Sequence, residues 1–123
     1  MNTEMKEITI NGVTYVEKGS QSEMAPQVDG MKYVICRTYS AGVFAGYLKS
    51  RNGQEVVMLN ARRLWQWQGA ASLSQLAMEG TTKPKECKFP CEVGKVELLQ
   101  AIEILDVTET ARLSIKECPV WKM

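Results

Sequence analysis

A hairpin is written into residues 43–69, VFAGYLKSRNGQEVVMLNARRLWQWQG. Asn52-Gly53 stands between two apolar runs, Phe44-Ala45-Gly46-Tyr47-Leu48 and Val56-Val57-Met58-Leu59. Asn and Gly both accept positive φ at little cost, so the pair predicts a two-residue turn between antiparallel strands. The second arm runs on through Asn60-Ala61-Arg62-Arg63-Leu64-Trp65-Gln66-Trp67. An unbroken strand there places Leu64 on one face and Arg63, Trp65 and Trp67 on the other. Tyr33-Val34-Ile35-Cys36 reads as an earlier strand within residues 32–39, and Ser40-Ala41-Gly42 supplies a tight turn into the hairpin. Three consecutive strands over residues 32–67 make an antiparallel meander.

Beyond Gly69 the pattern changes to helical spacing. Ser72 caps a helix over 72–79 that stops at Gly80. Residues 81–90 form a loop broken by Pro84 and Pro90. The β-branched run at 101–107 predicts a strand, preceded by a shorter strand or turn, although the preceding VELLQA suits a helix equally well. Thr108 caps a second short helix over 108–117, which Cys118-Pro119 ends. Trp121 lies so near the C-terminus that it is expected to dock on the rest. At the N-terminus, Asn11-Gly12 turns a second hairpin over 6–17, and the polar stretch 19–30 is a linker. The expected organisation is an appendage and linker at 1–30 and a main domain at 31–123. The expected class is α+β: an antiparallel sheet, meander or partly open barrel, with two short helices and an N-terminal β-hairpin.

With 123 residues the chain has room for one core. Its 45% apolar and 24% charged content argues against disorder. A formal net charge of +1 exerts no general pull on nucleic acid, which is not expected as a partner. No apolar run is long enough to span a bilayer, and the first residues lack the basic-then-apolar pattern of a secretory signal, so a cytoplasmic protein without a membrane partner is expected. The four cysteines are then expected to be reduced, with Cys36 in the core. Cys87-x3-Cys91 offers half a zinc site, and with no histidine anywhere no second half is visible, so no metal or other cofactor is expected. The missing histidine also excludes His-dependent triads and the usual general base near neutral pH. No catalytic residue is nominated, and the chain is not expected to be an enzyme.

Binding chemistry concentrates elsewhere. Arg37, Arg62 and Arg63 carry planar guanidinium forks suited to phosphate. Tyr39, Phe44, Trp65 and Trp67 offer faces on which a base can stack. The plainer alternatives are solvated or carboxylate-paired arginines, and tryptophans that pack against a helix or another subunit. Arg62 and Arg63, being adjacent, point to opposite faces of a strand unless a bulge intervenes.

Residues 37–80, from RTYSAGVF to LAMEG, resemble a family of small phage and prophage proteins of unassigned function. The resemblance extends through KECKFPCEVGKVELLQAIEILDVTETA towards the C-terminus and brings no catalytic residue with it. In style the chain is also similar to phage anti-defence sponges, which bind immune signalling nucleotides without cleaving them. Those proteins antagonise the cyclic ADP-ribose signals of Thoeris and the cyclic oligonucleotides of CBASS. The similarity implies a protein of the infected bacterial cytoplasm that sequesters a small nucleotide. Such a protein would be a homo-oligomer with pockets closed between subunits. The alternative is an inhibitor or adaptor that binds a host protein through an Arg/Trp surface, with Trp65 and Trp67 as anchors.

Overall fold

Gly53 and Gln54, rather than Asn52 and Gly53, close the central turn. The computed structural model describes residues 23–123, so the hairpin expected at 6–17 lies outside the described residues. Strands β2 (Val43–Asn52) and β3 (Glu55–Arg63) pair through Asn52↔Glu55, which leaves two residues in the loop. Gly53 has φ +62 and Gln54 keeps a negative φ, the glycine-first hairpin turn. Asn52 is not needed at positive φ and stays in the ladder.

Strand β1 (Tyr33–Thr38) pairs with β2, and β4 (Glu92–Leu98) pairs with β3. Strand β5 (Ala101–Asp106) returns beside β1, giving a five-stranded sheet of order β4-β3-β2-β1-β5, antiparallel throughout. The fold is thus α+β with an open antiparallel sheet, and the expected meander β1-β2-β3 continues into β4. Ahead of β5 stands a full seven-residue strand rather than a short one. Strand β3 stops before Trp67. The Leu64 N–H donates to the Val43 carbonyl, the first residue of β2, and beyond it the pairing with β2 ends, Gln66 forming an isolated bridge with Lys88 instead.

The connection between β4 and β5 dictates the shape of the sheet. These strands lie at opposite edges, which in a flat sheet would stand about 19 Å apart, four spacings of ~4.8 Å. Only Leu99 and Gln100 join them, and three chain steps span at most about 11 Å. The sheet must therefore curl until its edges approach at one corner. There the Ala101 N–H donates to the Gln54 carbonyl and the Tyr39 N–H to the Gln100 carbonyl. Leu98 and Ala101, one from each edge strand, join Val34, Cys36, Phe44 and Met58 in the apolar core inside this curl.

The opposite face carries the helices. Alternation along β1 sends Tyr33 and Ile35 to that side, where they meet Leu64, Leu76, Phe89 and Ile115. Helix α1 (Leu73–Glu79) starts as its sequence predicts, with the Ser72 hydroxyl accepting from the Gln75 N–H at 3.1 Å. It ends at Gly80, whose φ is +80. Helix α2 (Glu109–Glu117) begins at Thr108, whose hydroxyl accepts from the Ala111 N–H and donates to the Met78 carbonyl at 2.7 Å. That single side chain caps one helix and ties it to the other. A β-carbon on Gly80 would collide with the Ser114 side chain, so glycine also sets how closely the helices approach. Residues 23–31, from the stretch read as linker, run along this layer. Ala25 donates to the Val107 carbonyl at 2.9 Å, and Glu109 donates to the Glu23 carbonyl at 2.9 Å. Among the described residues no helix is long and apolar enough to cross a membrane.

Three buried acids make the fold sensitive to alkali. Burial pushes the Cys118 thiol up to about 12 from its ordinary 9.0, and it also raises Cys36 and Tyr33. Each group keeps its proton in the fold at a pH where the unfolded chain has released it, so the unfolded state gains as pH rises. The contribution is complete below pH 9.0 and is lost progressively towards about 12. Urea midpoints should therefore fall steadily across that window, and Cys118→Ala should flatten the fall. A midpoint that does not change with pH there would show that these groups are not shielded.

Candidate functional site

The nominated arginines go to three different environments. Arg62 is buried, at 4% exposure. Its Nε donates to the Pro90 carbonyl at 2.9 Å and its Nη1 to Ile115 at 2.7 Å. Its Nη2 faces the carbonyls of Phe89, Cys118 and Pro119 at 3.0, 2.8 and 3.0 Å. The guanidinium also lies 5.5 Å from the centre of the Phe89 ring. A cation set among the last carbonyls of α2 meets the negative end of the helix dipole and serves as its C-terminal cap. Arg62 thereby joins β3, the Phe89 loop and the C-terminal segment, and its donors face the chain's own backbone.

A bulge sends Arg62 there. Tyr47 pairs with Leu59 and Ala45 with Arg62, so three steps on β3 oppose two on β2. Asn60 takes φ +49 within that step. Val56 and Met58 face the inner core, and after the bulge Ala61 does so again. Arg62 consequently turns to the helical side and Arg63 to the other. Close passage of β2 is also required here, because a β-carbon on Gly46 would come within 2.8 Å of the Ala61 Cα.

Arg63 is exposed, with its guanidinium 4.6 Å above the centre of the Phe44 ring directly opposite on β2. Phe44 itself is buried, so its ring is offered to Arg63 rather than to a ligand. Arg37 is exposed near the end of β1, on the same side of the strand as Tyr33 and Ile35, and donates from Nε to Glu103 Oε1 of β5 at 2.8 Å, an exposed pair. Tyr39, just past β1, is exposed beside the corner formed by Gln100. Trp67 packs against the helical core.

Trp65 is the exception. Its indole is 56% exposed and stacks on Trp121, itself 43% exposed. The ring centres lie 5.0 Å apart with planes 8° from parallel. The Lys88 ammonium sits 5.7 Å from both ring centres. Two backbone ties hold the arrangement: Gln66 and Lys88 exchange hydrogen bonds, and the Trp121 N–H donates to the Phe89 carbonyl at 2.9 Å. Trp65 and a docked Trp121 are legible in the sequence, whereas Lys88 reads there as one more basic residue in a proline-bounded loop. Trp65 and Trp121, exposed, and Lys88, half-buried, form one patch, and Arg63 lies two residues before Trp65.

Open clefts lie elsewhere on the surface. A cavity of about 530 Å³ opens between the central turn and β5, lined by Arg51, Gln54, Ile102 and Glu103 among others. Another of about 500 Å³ lies at the β4–β5 corner, bounded by Thr38, Ser40, Glu97 and Leu99. None of the nominated residues lines either one. Cys87 is buried, its thiol directed at the Gln68 and Lys83 carbonyls, whereas Cys91 is exposed. Glu109 is held below the usual carboxylate range by its hydrogen bonds from Arg112, at 2.7 and 2.8 Å on the first turn of α2.

No curated protein and no solved structure matches this chain. Residues 31–115 match a sequence family described as a domain of unknown function (DUF6948).

Proposed function

We propose that this chain, which belongs to the DUF6948 family, is a non-catalytic binding protein whose contact surface is the Trp65–Trp121–Lys88 patch. The observation that carries this reading is the pair of stacked, half-exposed indoles beside an ammonium group. Tryptophan is the residue type most enriched among the few side chains that dominate protein–protein binding. Large apolar rings already fixed by stacking and backbone ties lose little freedom when a partner covers them. The partner we assign is a protein of the bacterial host, and the activity that of an inhibitor or adaptor. The resemblance to phage proteins supports an anti-defence role in the infected cytoplasm.

A second reading, sequestration of an immune signalling nucleotide, draws on the same patch. An open indole face can extend its stack with a base, and Lys88 and Arg63 can meet phosphate. Tight capture of a small nucleotide needs enclosure, however, and the patch is an open surface. Under this reading a second copy of the chain would have to close over the ligand.

One pair of variants tests both. Trp65→Ala should keep the fold and weaken partner binding about 30-fold or more, the scale of a hot-spot residue. Arg37→Ala, remote from the patch, should leave binding unchanged. Tagged protein recovered from defence-active cells supplies the host partner for these measurements. Calorimetry against cyclic ADP-ribose isomers and cyclic di- and trinucleotides supplies the other arm. If Trp65→Ala binds every such ligand as well as the parent does, the patch is not the site.

A further inference from the structure

We propose that the outer edge of β4 is a self-association surface, on which a second copy of the chain lays its own β4 antiparallel. The two five-stranded sheets would then become continuous. This goes beyond the Trp65 patch and does not depend on it.

Strand β4 is unusually bare. Five of its seven residues are exposed, and among the described residues β3 is its one strand neighbour. An edge strand turns alternate N–H and C=O groups outward, and a further strand satisfies them by addition. Native edges are commonly protected by charge. On β4 the charges are of both signs, whereas on β5, the other edge, they are all acidic. Lys95 and Glu97 share one face of β4, their Nζ and Oε2 atoms 3.6 Å apart.

Those two charges select a register. A two-fold axis through a continuous sheet pairs antiparallel strands about one central residue and keeps opposed side chains on the same face. Centring on Lys95 sets Lys95 against its own copy, and centring on Glu97 sets Glu97 against its own copy. Both put like charges directly opposite one another, which is destabilising. Centring on Val96 instead sets Lys95 against the partner's Glu97, and Glu97 against the partner's Lys95. The four charges then alternate in sign across the seam. The same register brings Val93 towards the partner's Leu99, the first residue past β4, two apolar residues that are 43% and 67% exposed in the single chain. It also places Val96 against Val96 of the partner subunit. Charge and apolar exposure select the same alignment. The contact is a single pair of strands, so the dimer should be weak and concentration-dependent, below the ~1,200 Å² of a standard stable interface.

Sedimentation velocity on the full chain tests this over a range of concentrations. The mass should rise from 13.8 kDa towards twice that value. Lys95→Glu and Glu97→Lys should each raise the dissociation constant by at least about tenfold, because each turns both cross-seam attractions into repulsions. Circular dichroism should show both variants folded, since the two side chains are exposed. The double exchange, Lys95→Glu with Glu97→Lys, restores the alternating pattern and should restore the dimer. A parent chain that stays monomeric at every concentration would overturn the proposal. So would single variants that dimerise as well as the parent, a double exchange that stays monomeric, or assemblies larger than a dimer.

Discussion

Arg62→Ala should lose at least about 3 kcal/mol of stability, because truncation removes the donors from five carbonyl groups in and around the core, and each buried group left unpaired costs about 1–3 kcal/mol. Two of the five keep a backbone donor, Ile115 that of Cys118 and Phe89 that of Trp121, which is why the loss stays below the simple sum. The C-terminal turn of α2 also loses its cation, and Phe89 loses the guanidinium beside its ring. Urea denaturation followed by tryptophan fluorescence is the measurement of choice, since Trp121 follows directly on the tethered segment. Arg62→Lys should recover only part of the loss, as an ammonium cannot reproduce the planar fork that meets carbonyls on several sides. Arg63→Ala is the matched control. It gives up one exposed contact with Phe44 and should cost no more than about 1 kcal/mol. If Arg62→Ala unfolds at the same urea concentration as the parent, the carbonyl cage is not supporting the fold. The result also bears on function, because weakened binding in an Arg62 variant would reflect lost structure, whereas the same loss in Trp65→Ala would not.

Phe89→Ala should cost about 3–5 kcal/mol, the usual range for emptying a buried aromatic site. Phe89 is fully buried among Leu64, Leu76, Cys87 and Ile115. The backbone at this residue accepts from both Arg62 and Trp121, so the loop around it has little freedom to collapse into the void. For a chain of this size the melting temperature should drop by roughly 10 °C or more. Phe89→Leu keeps most of the volume and should cost less than about 1.5 kcal/mol. Because Phe89 touches Arg62, the double alanine variant should lose less than the sum of the two single losses. A Phe89→Ala protein as stable as the parent would mean that the helical core does not depend on the loop that carries this ring.

Much of the secondary structure was legible one element at a time. Ser72, Gly80 and Thr108 act at the helix ends their chemistry predicts, since a cap is a contact within three or four residues of its own backbone. The alternation of Tyr33, Val34, Ile35 and Cys36 between two cores is likewise a property of the strand itself. Even the central turn was displaced by only one residue, because glycine alone had to occupy positive φ.

The candidate site was less legible, and the reason is distance along the chain. The adjacency of Arg62 and Arg63 correctly implied opposite faces, but which face each took depended on the bulge at Asn60. The local sequence does not announce that bulge. The acceptors of Arg62 lie 27 to 57 residues away, so nothing near it in sequence distinguished a buried helix cap from a phosphate ligand. Phe89 sits in a loop marked by prolines and lysines, and only the closing of that loop over the sheet makes it core. Sequence determined the β1-β2-β3 meander, the strand that opens at Ala101, the two capped helices and the kinds of side chain available for binding, because period, capping and turn preference act between near neighbours. The tertiary structure alone decided that Arg62 is a structural residue, that Trp65 meets Trp121, and that β4 is left as a bare edge. Each of these outcomes depends on where distant segments come to rest once the sheet has curled to let two residues join its opposite edges.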